Sequence, residues 1–221
     1  MPEPAFTLHG HHESGNCYKV ALFLALSGTA YRWKQIDIFS GGTRTDAFTA
    51  LNTFQEVPVL EHDGKVVTQS DVILRYLADT RGRFGGRDAD ESRRIQEWMA
   101  WTSNKLTAGI SQARFGLRFA GHEPDVTDYL QNRARSAFDL VDRHLAERDW
   151  LAADGPTIAD ISAVGYIFIA DEAGLDLTHW RKMLSWMGRL SLLPGWHHPD
   201  KLPQQDTTVA PTATFTAPDD D

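Results

Sequence analysis

The chain has 221 residues, 42% of them hydrophobic and 24% charged, the balance of an ordinary soluble globular protein with material for one large domain or two small ones. A formal net charge of −8 argues against bulk binding to nucleic acid or to an acidic membrane surface, since both favour a basic face. The single cysteine, Cys17, excludes an intrachain disulfide framework and a CxxC redox pair.

The opening Met1-Pro2-Glu3-Pro4 lacks the basic and apolar segments of a signal peptide. The longest apolar run, Ile161 to Ala170, falls short of the about 20 residues that span a bilayer. The expectation is therefore a cytoplasmic protein with no membrane or nucleic-acid partner.

In chain order, Ala5 to Leu8 reads as a short strand, and His9 to Asn16 as a polar loop. Cys17, Val20, Ala21 and Leu24 then recur at helical spacing, with Gly28 past the helix end. Tyr31 to Ile38 predicts a second strand; Gly41-Gly42 breaks it, and Thr45 to Leu51 predicts a short helix. Val57 to Leu60 and Lys65 to Val67 form a hairpin around Asp63-Gly64, a strong turn signal. A helix from Ser70 to about Asp79 completes a β-α-β-α-β-β-α order.

Beyond a Gly- and Arg-rich linker, Arg81 to Arg87, the pattern is helical throughout. Ile95, Trp98, Met99, Thr102 and Leu106 mark a long helix, expected to be interrupted near Gly109 or Gly116. Leu130, Ala134, Ala137, Phe138, Val141 and Leu145 mark a second. Thr157-Ile158-Ala159-Asp160 is a capping-box variant opening the most apolar helix, Ile161 to Ala170. Trp180 to Met187 is a last helix, stopped by Pro194-Gly195. The divisions read from this pattern are 1–80, a linker 81–90, a helical domain 91–201, and a disordered tail 202–221 of Pro, Thr, Gln and Asp.

The stretch that organises the chain is Val57-Pro58-Val59-Leu60 with Gln69-Ser70-Asp71. Proline inside an apolar strand gives no N–H to the ladder, and its placement suggests a cis bond. Val57 would then offer its backbone to a peptide-like partner, as an added strand does. Ser70 stands at a helix start, where free N–H groups and the helix dipole favour an anion. A strand end that pairs with peptide beside a helix end that holds a carboxylate suits a small acidic peptide.

These residues resemble the glutathione-binding half of the glutathione S-transferase family: Asn52 to Leu60, Gln69-Ser70, and Ile73 with Tyr76-Leu77. The Pro-Thr-Ile-Ala-Asp segment, 156–160, resembles that family's second domain, so the likeness covers roughly residues 5 to 196. Thr53 and Gln55 depart from it, standing where the family has Pro and Gly. The resemblance implies an α/β N-terminal thioredoxin-like domain plus an all-α C-terminal helical bundle. It also implies a bacterial-type enzyme with a serine-type active site, detoxifying small hydrophobic electrophiles as a homodimer.

Within that likeness, Ser14-Gly15-Asn16-Cys17 is similar to the Ser-x-x-Cys run that holds the activating serine. Ser14 is the expected donor to the glutathione thiolate, with a helix N-cap as its bland reading. Asn16 is expected in support. Cys17 is a rival nucleophile on an apolar helical position, where a free cysteine is usually a small buried hydrophobe. Val57 after its peptide with Pro58 would pair with the cysteinyl backbone, and Gln69 and Ser70 would hold the γ-glutamyl end. Glu56 replaces a residue able to attract the glycyl carboxylate, a task open to Arg44, which also reads as a solvated loop residue.

Trp101, Lys105 and Phe115 are expected to line an apolar electrophile pocket between the domains, although aromatics at helical spacing are more often core. No metal is expected: His9, His11, His12 and His62 lack a carboxylate or Cys cluster to fix a geometry. His197-His198 reads as surface. The rival functions are a glutathione-dependent disulfide reductase or peroxidase, and a non-catalytic binding protein on the same fold.

Overall fold

The computed structural model describes residues 4–211. The chain divides into two compact units, one running to Arg83 and resuming at Leu192, the other spanning Phe84–Ser191. The division falls inside the Gly- and Arg-rich linker at one end, and at the other returns the segment after Leu192 to the first unit.

The first unit is built on a five-stranded sheet. Strand β1 (Phe6–Gly10) pairs parallel with β2 (Tyr31–Gln35) and antiparallel with β3 (Val59–His62). β3 turns into β4 (Lys65–Thr68) through Asp63 and Gly64, both at positive φ (48° and 73°), the geometry an Asp-Gly hairpin turn requires. The fifth strand, β5 (Thr207–Val209), pairs antiparallel with β2, giving the order β4-β3-β1-β2-β5. Residues 202–221 were expected to be a disordered tail; 207–209 instead form an edge strand, and 212–221 lie outside the described residues. The physical reason is that β2 offered an unpaired edge. Asp206 helps fix the register by accepting from the Gln35 N–H (2.9 Å) and Lys34 Nζ (2.8 Å).

Helix α1 (Gly15–Leu26) has buried residues on every face, with Cys17, Tyr18, Val20, Leu22, Phe23 and Leu24 fully shielded. Each large apolar side chain buried in this way contributes about 1.5–3 kcal/mol. The short helix α2 (Asp46–Leu51) is capped by Thr45, whose Oγ1 accepts from the Phe48 N–H at 3.2 Å. Helix α3 (Ser70–Arg81) packs against α1 and buries Ile73, Leu74 and Leu77; of the positions read in the sequence, Ile73 and Leu77 face inward. His197 is half-buried rather than a surface residue: its carbonyl accepts the Tyr18 hydroxyl at 2.7 Å.

The second unit is helical. Helix α4 (Ala89–Trp101), a π-helical segment (Thr102–Thr107), α5 (Ala108–Phe115) and a second π-helical segment (Gly116–Ala120) follow without a break. The expected interruption at Gly109 or Gly116 does not occur. Gly109 is there for approach: a Cβ would meet the Ala134 backbone nitrogen at 3.0 Å, on α6 (Pro124–His144). The chain turns only at Gly121, in the left-handed region at φ 63°.

Helix α7 (Ile158–Ile167) buries all ten residues, as an apolar helix in the middle of a bundle must. It starts three residues before the apolar run suggested, because the capping box itself sets the start. Helix α8 (Arg181–Ser191) turns Met183, Trp186, Met187 and Leu190 inward. Among the described residues, no helix is long and apolar enough to cross a membrane.

Candidate functional site

The turn before Pro58 is held by Asn52, which is buried. Its Nδ2 donates to the Glu56 carbonyl (2.8 Å), while its Oδ1 accepts from the Phe54 N–H (2.9 Å). Gln55, standing in the glycine place of the family turn, takes φ 55°, the left-handed conformation that a glycine adopts freely. The altered residue therefore accepts a backbone strain instead of removing the left-handed position. The Val57–Pro58 peptide is cis, and the ladder of β3 begins only at Val59, so Val57 stands outside it.

Beside this turn begins α3. Gln69 occupies its N-cap at φ 66° and ψ 114° and makes no side-chain cap hydrogen bond, so Ser70 is the first helical residue. The Gln69 side chain is turned away, donating from Nε2 to Glu56 Oε2 at 3.0 Å. Ser70 Oγ donates to Asn16 Oδ1 at 3.4 Å, which brings the first turns of α1 and α3 together. Asn16, Glu56, Gln69 and Ser70 thus form one connected group, with Val57 adjacent to Glu56 in the chain.

Below that group lies a pair that the sequence reading missed. Lys19 is 1% exposed, yet its ammonium stands 2.6 Å from Asp71 Oδ1, in the first turn of α3. Burial pulls the Lys19 pKa down and the Asp71 carboxylate pulls it back up. The available signal was a lone Lys within Cys17 to Leu24, a helix with no polar face on which to place it; such a charge is buried only with a partner.

Ser14 is the N-cap of α1: its backbone is extended and its Oγ accepts the Cys17 N–H at 3.3 Å. That is the structural role weighed for it from the sequence. A hydroxyl has two acceptor positions and one donor, so capping leaves the O–H with a role to play. Cys17 is corrected as a nucleophile. It is fully buried, and burial pushes its thiol up to about 11, against opposing pulls from the Ser14 hydroxyl and the His11 N–H. A protonated, inaccessible thiol is a poor nucleophile.

The remaining positions divide. Arg44 is exposed at the end of a short 3₁₀ turn, Gly42–Arg44. Trp101 and Lys105 share a shallow cleft of about 390 Å³ with Tyr129, Asn132 and Arg133. Phe115 is not part of it; it is 45% exposed and packs on Phe119, with ring centroids 5.7 Å apart.

The four histidines do not assemble as one set. His62 stacks on Phe6 at 4.0 Å and meets the Tyr76 hydroxyl at 2.7 Å, while His9 meets Glu61 at 2.5 Å. His11 and His12 stay together, their ring centroids 4.7 Å apart. Burial first, then the neighbouring His11, lower the His12 pKa.

A parallel/antiparallel sheet with a cis-proline turn facing an uncapped helix start, followed by a helical unit with a buried capping box, defines a glutathione-transferase architecture. Residues 4–79 match the family model "Glutathione S-transferase, N-terminal domain" and residues 108–197 match "Glutathione S-transferase, C-terminal domain". The crystal structure of a glutathione S-transferase from Pseudomonas fluorescens Pf-5 is similar at 31% identity and a TM-score of 0.84, covering 88% of this chain and 98% of that one. The chain belongs to the glutathione S-transferase family.

Its relatives differ in activity. A maleylacetoacetate isomerase of Pseudomonas aeruginosa is 24% identical, covering 92% of this chain and 99% of that protein. The disulfide-bond oxidoreductase YfcG of Escherichia coli is 22% identical, covering 81% of this chain and 87% of that protein.

Proposed function

We propose that the protein is a glutathione transferase in which glutathione thiolate, stabilised by the Ser14 hydroxyl, attacks a small hydrophobic electrophile. The observation that carries this reading is the start of α3, where the N-cap residue Gln69 makes no side-chain cap hydrogen bond. A helix start in that condition attracts a carboxylate. On this reading Ser70 and Gln69 hold the γ-glutamyl end, Val57 pairs with the cysteinyl backbone, and Arg44 reaches the glycyl carboxylate. Glu56 is committed to Gln69 and acts through it.

Thiolate stabilisation and proximity of the two reactants would supply the rate. We take the electrophile pocket to be the cleft that holds Trp101 and Lys105, without Phe115, which lies outside it. From family likeness we also infer a homodimer working in the cytoplasm, in detoxification.

Calorimetry with glutathione tests the site. The expected result is saturable binding by the wild type, weakened about tenfold by Ser70→Ala, the loss of one hydrogen bond to a charged group. Wild type that does not bind glutathione would overturn the reading and favour a non-catalytic protein. Ser14→Asp then separates cap from donor: it keeps a capping acceptor and removes the O–H. Turnover of a general aromatic electrophile should fall about 100-fold, the scale of losing one donor to a developing anion, with stability retained.

The second reading is disulfide reduction by glutathione, favoured by the likeness to YfcG. The burial of Cys17 means that bound glutathione alone would be the reductant. Cys17→Ala would then keep full activity on a mixed disulfide.

A further inference from the structure

We propose that His11, His12 and Glu13 form a binding site for a divalent transition metal of the zinc class. Sequence reading set aside a metal here for want of a carboxylate, because it looked to His9 and His62, which lie in the strands. The carboxylate is the next residue in the chain. One donor atom from each of His11, His12 and Glu13 lies within 4.8 Å of the others. Tetrahedral zinc with ligands at about 2.0–2.2 Å holds them roughly 3.4 Å apart, so closure needs about 1 Å of side-chain adjustment. His11 Nε2 and Glu13 Oε2 are already at 3.8 Å.

The second observation is independent of that spacing. The His11 side chain is 5% exposed, and its Nε2 is buried with no hydrogen-bond partner among the described residues. An unmet buried ring nitrogen costs about 1–3 kcal/mol, and native structures seldom keep one without use.

The other ring nitrogen explains which proton it lacks. Nδ1 stands 2.9 Å from the Ile36 carbonyl, which can only accept, so Nδ1 carries the hydrogen and Nε2 presents its lone pair. Imidazole bonded to a carbonyl on one side and open on the other is the usual posture of a metal-ligating histidine.

Gln35 braces the His12 ring. Its Oε1 accepts from Trp33 Nε1 at 3.2 Å, and its Nε2, which cannot donate to the already protonated Nδ1 of His11, stands 3.1 Å from Nδ1 of His12. Two imidazoles and one carboxylate are a zinc-type donor set, and three protein ligands leave a coordination position open.

The test uses the full chain without an affinity tag, stripped by chelator, titrated with Zn²⁺ by calorimetry and with Co²⁺ by visible absorption. One equivalent per chain is expected, with Co²⁺ giving a tetrahedral spectrum. His12→Ala and Glu13→Gln, on half-buried side chains, should each weaken Zn²⁺ binding by at least about tenfold. His179→Ala, on an exposed histidine elsewhere, should leave it unchanged. The proposal is overturned if no saturable binding is seen. It is equally overturned if His12→Ala and Glu13→Gln, folded by circular dichroism, bind as the wild type does, or if His179→Ala abolishes binding.

Discussion

The helix starts at Ser70 and at Ile158 are treated in opposite ways. At Ile158, Thr157 caps α7 with its hydroxyl accepting from the Ala159 N–H (3.2 Å), and Asp160 completes the box. The Asp160 carboxylate accepts from the Leu151 N–H, the Thr157 N–H, the Thr157 hydroxyl and Trp186 Nε1, all within 3.0 Å. Every donor there is spent inside the protein. At Ser70 the N-cap residue makes no side-chain cap hydrogen bond and sits at φ 66°, and the carboxylate of the first turn, Asp71, pairs with a buried lysine. A closed start is worth stability; an open one leaves N–H groups for something outside, and strain at its entrance is the pattern of a functional position.

The largest effect comes from opening the closed start. Asp160→Ala leaves four donors in a buried place, and with each worth about 1–3 kcal/mol and partial relaxation the loss should be about 3–5 kcal/mol. Urea unfolding of wild type and variant measures it. A loss below about 1 kcal/mol would mean that the capping box is ornamental and the contrast between the two starts is false.

Next is the support beneath the open start. Asp71→Asn removes the carboxylate 2.6 Å from the shielded Lys19 ammonium, and the burial that already lowers the Lys19 pKa then acts with less opposition. Breaking one side of a buried pair usually costs about 3–5 kcal/mol; with Asp71 still partly exposed, about 2–3 kcal/mol is expected. A variant as stable as the wild type would show that α1 and α3 are held at their starts by packing alone.

What could be read in the sequence follows the same line between local and distant causes. The cis Val57–Pro58 peptide, the Asp63-Gly64 hairpin and the Thr157–Asp160 box are each fixed by residues within a few places of one another, so sequence shows them. The Lys19–Asp71 pair spans 52 positions and the pairing of β5 with β2 about 175, and no periodicity announces either. Gly109 misled because a glycine in a helical pattern has two meanings, a break or a close approach, and only the neighbouring α6 backbone decides between them. Ser14 was legible as a cap because a hydroxyl ahead of an apolar helical run is a local signal.

The turn facing the open start sharpens the contrast from another side. Gln55 sits at φ 55°, where a residue with a Cβ is strained by about 1–2 kcal/mol. Gln55→Gly relieves the strain but frees the unfolded chain, so a net gain of about 0.5–1 kcal/mol is expected. Destabilisation instead would mean that the Gln55 side chain, whose Nε2 reaches Thr49 Oγ1 at 3.4 Å, contributes more than its backbone costs.

An effect of similar size concerns the thiol just behind the start of α1. Cys17 has its pKa raised to about 11 by burial, from an ordinary 9.0. Between those values the native chain keeps a proton that the unfolded chain gives up, so the native state binds more protons and stability falls with rising pH. The contribution is fully present below pH 9 and is lost as the pH climbs toward about 11. Cys17→Ala should therefore be less stable than wild type at pH 8 by about 1 kcal/mol, the scale of a small cavity, and the gap should narrow through that alkaline window. A thiol reagent at pH 8 should leave the native chain unmodified and label one cysteine per chain in urea. Rapid labelling of the folded protein would place Cys17 within reach of solvent at the start of α1 and overturn its assignment as a shielded thiol.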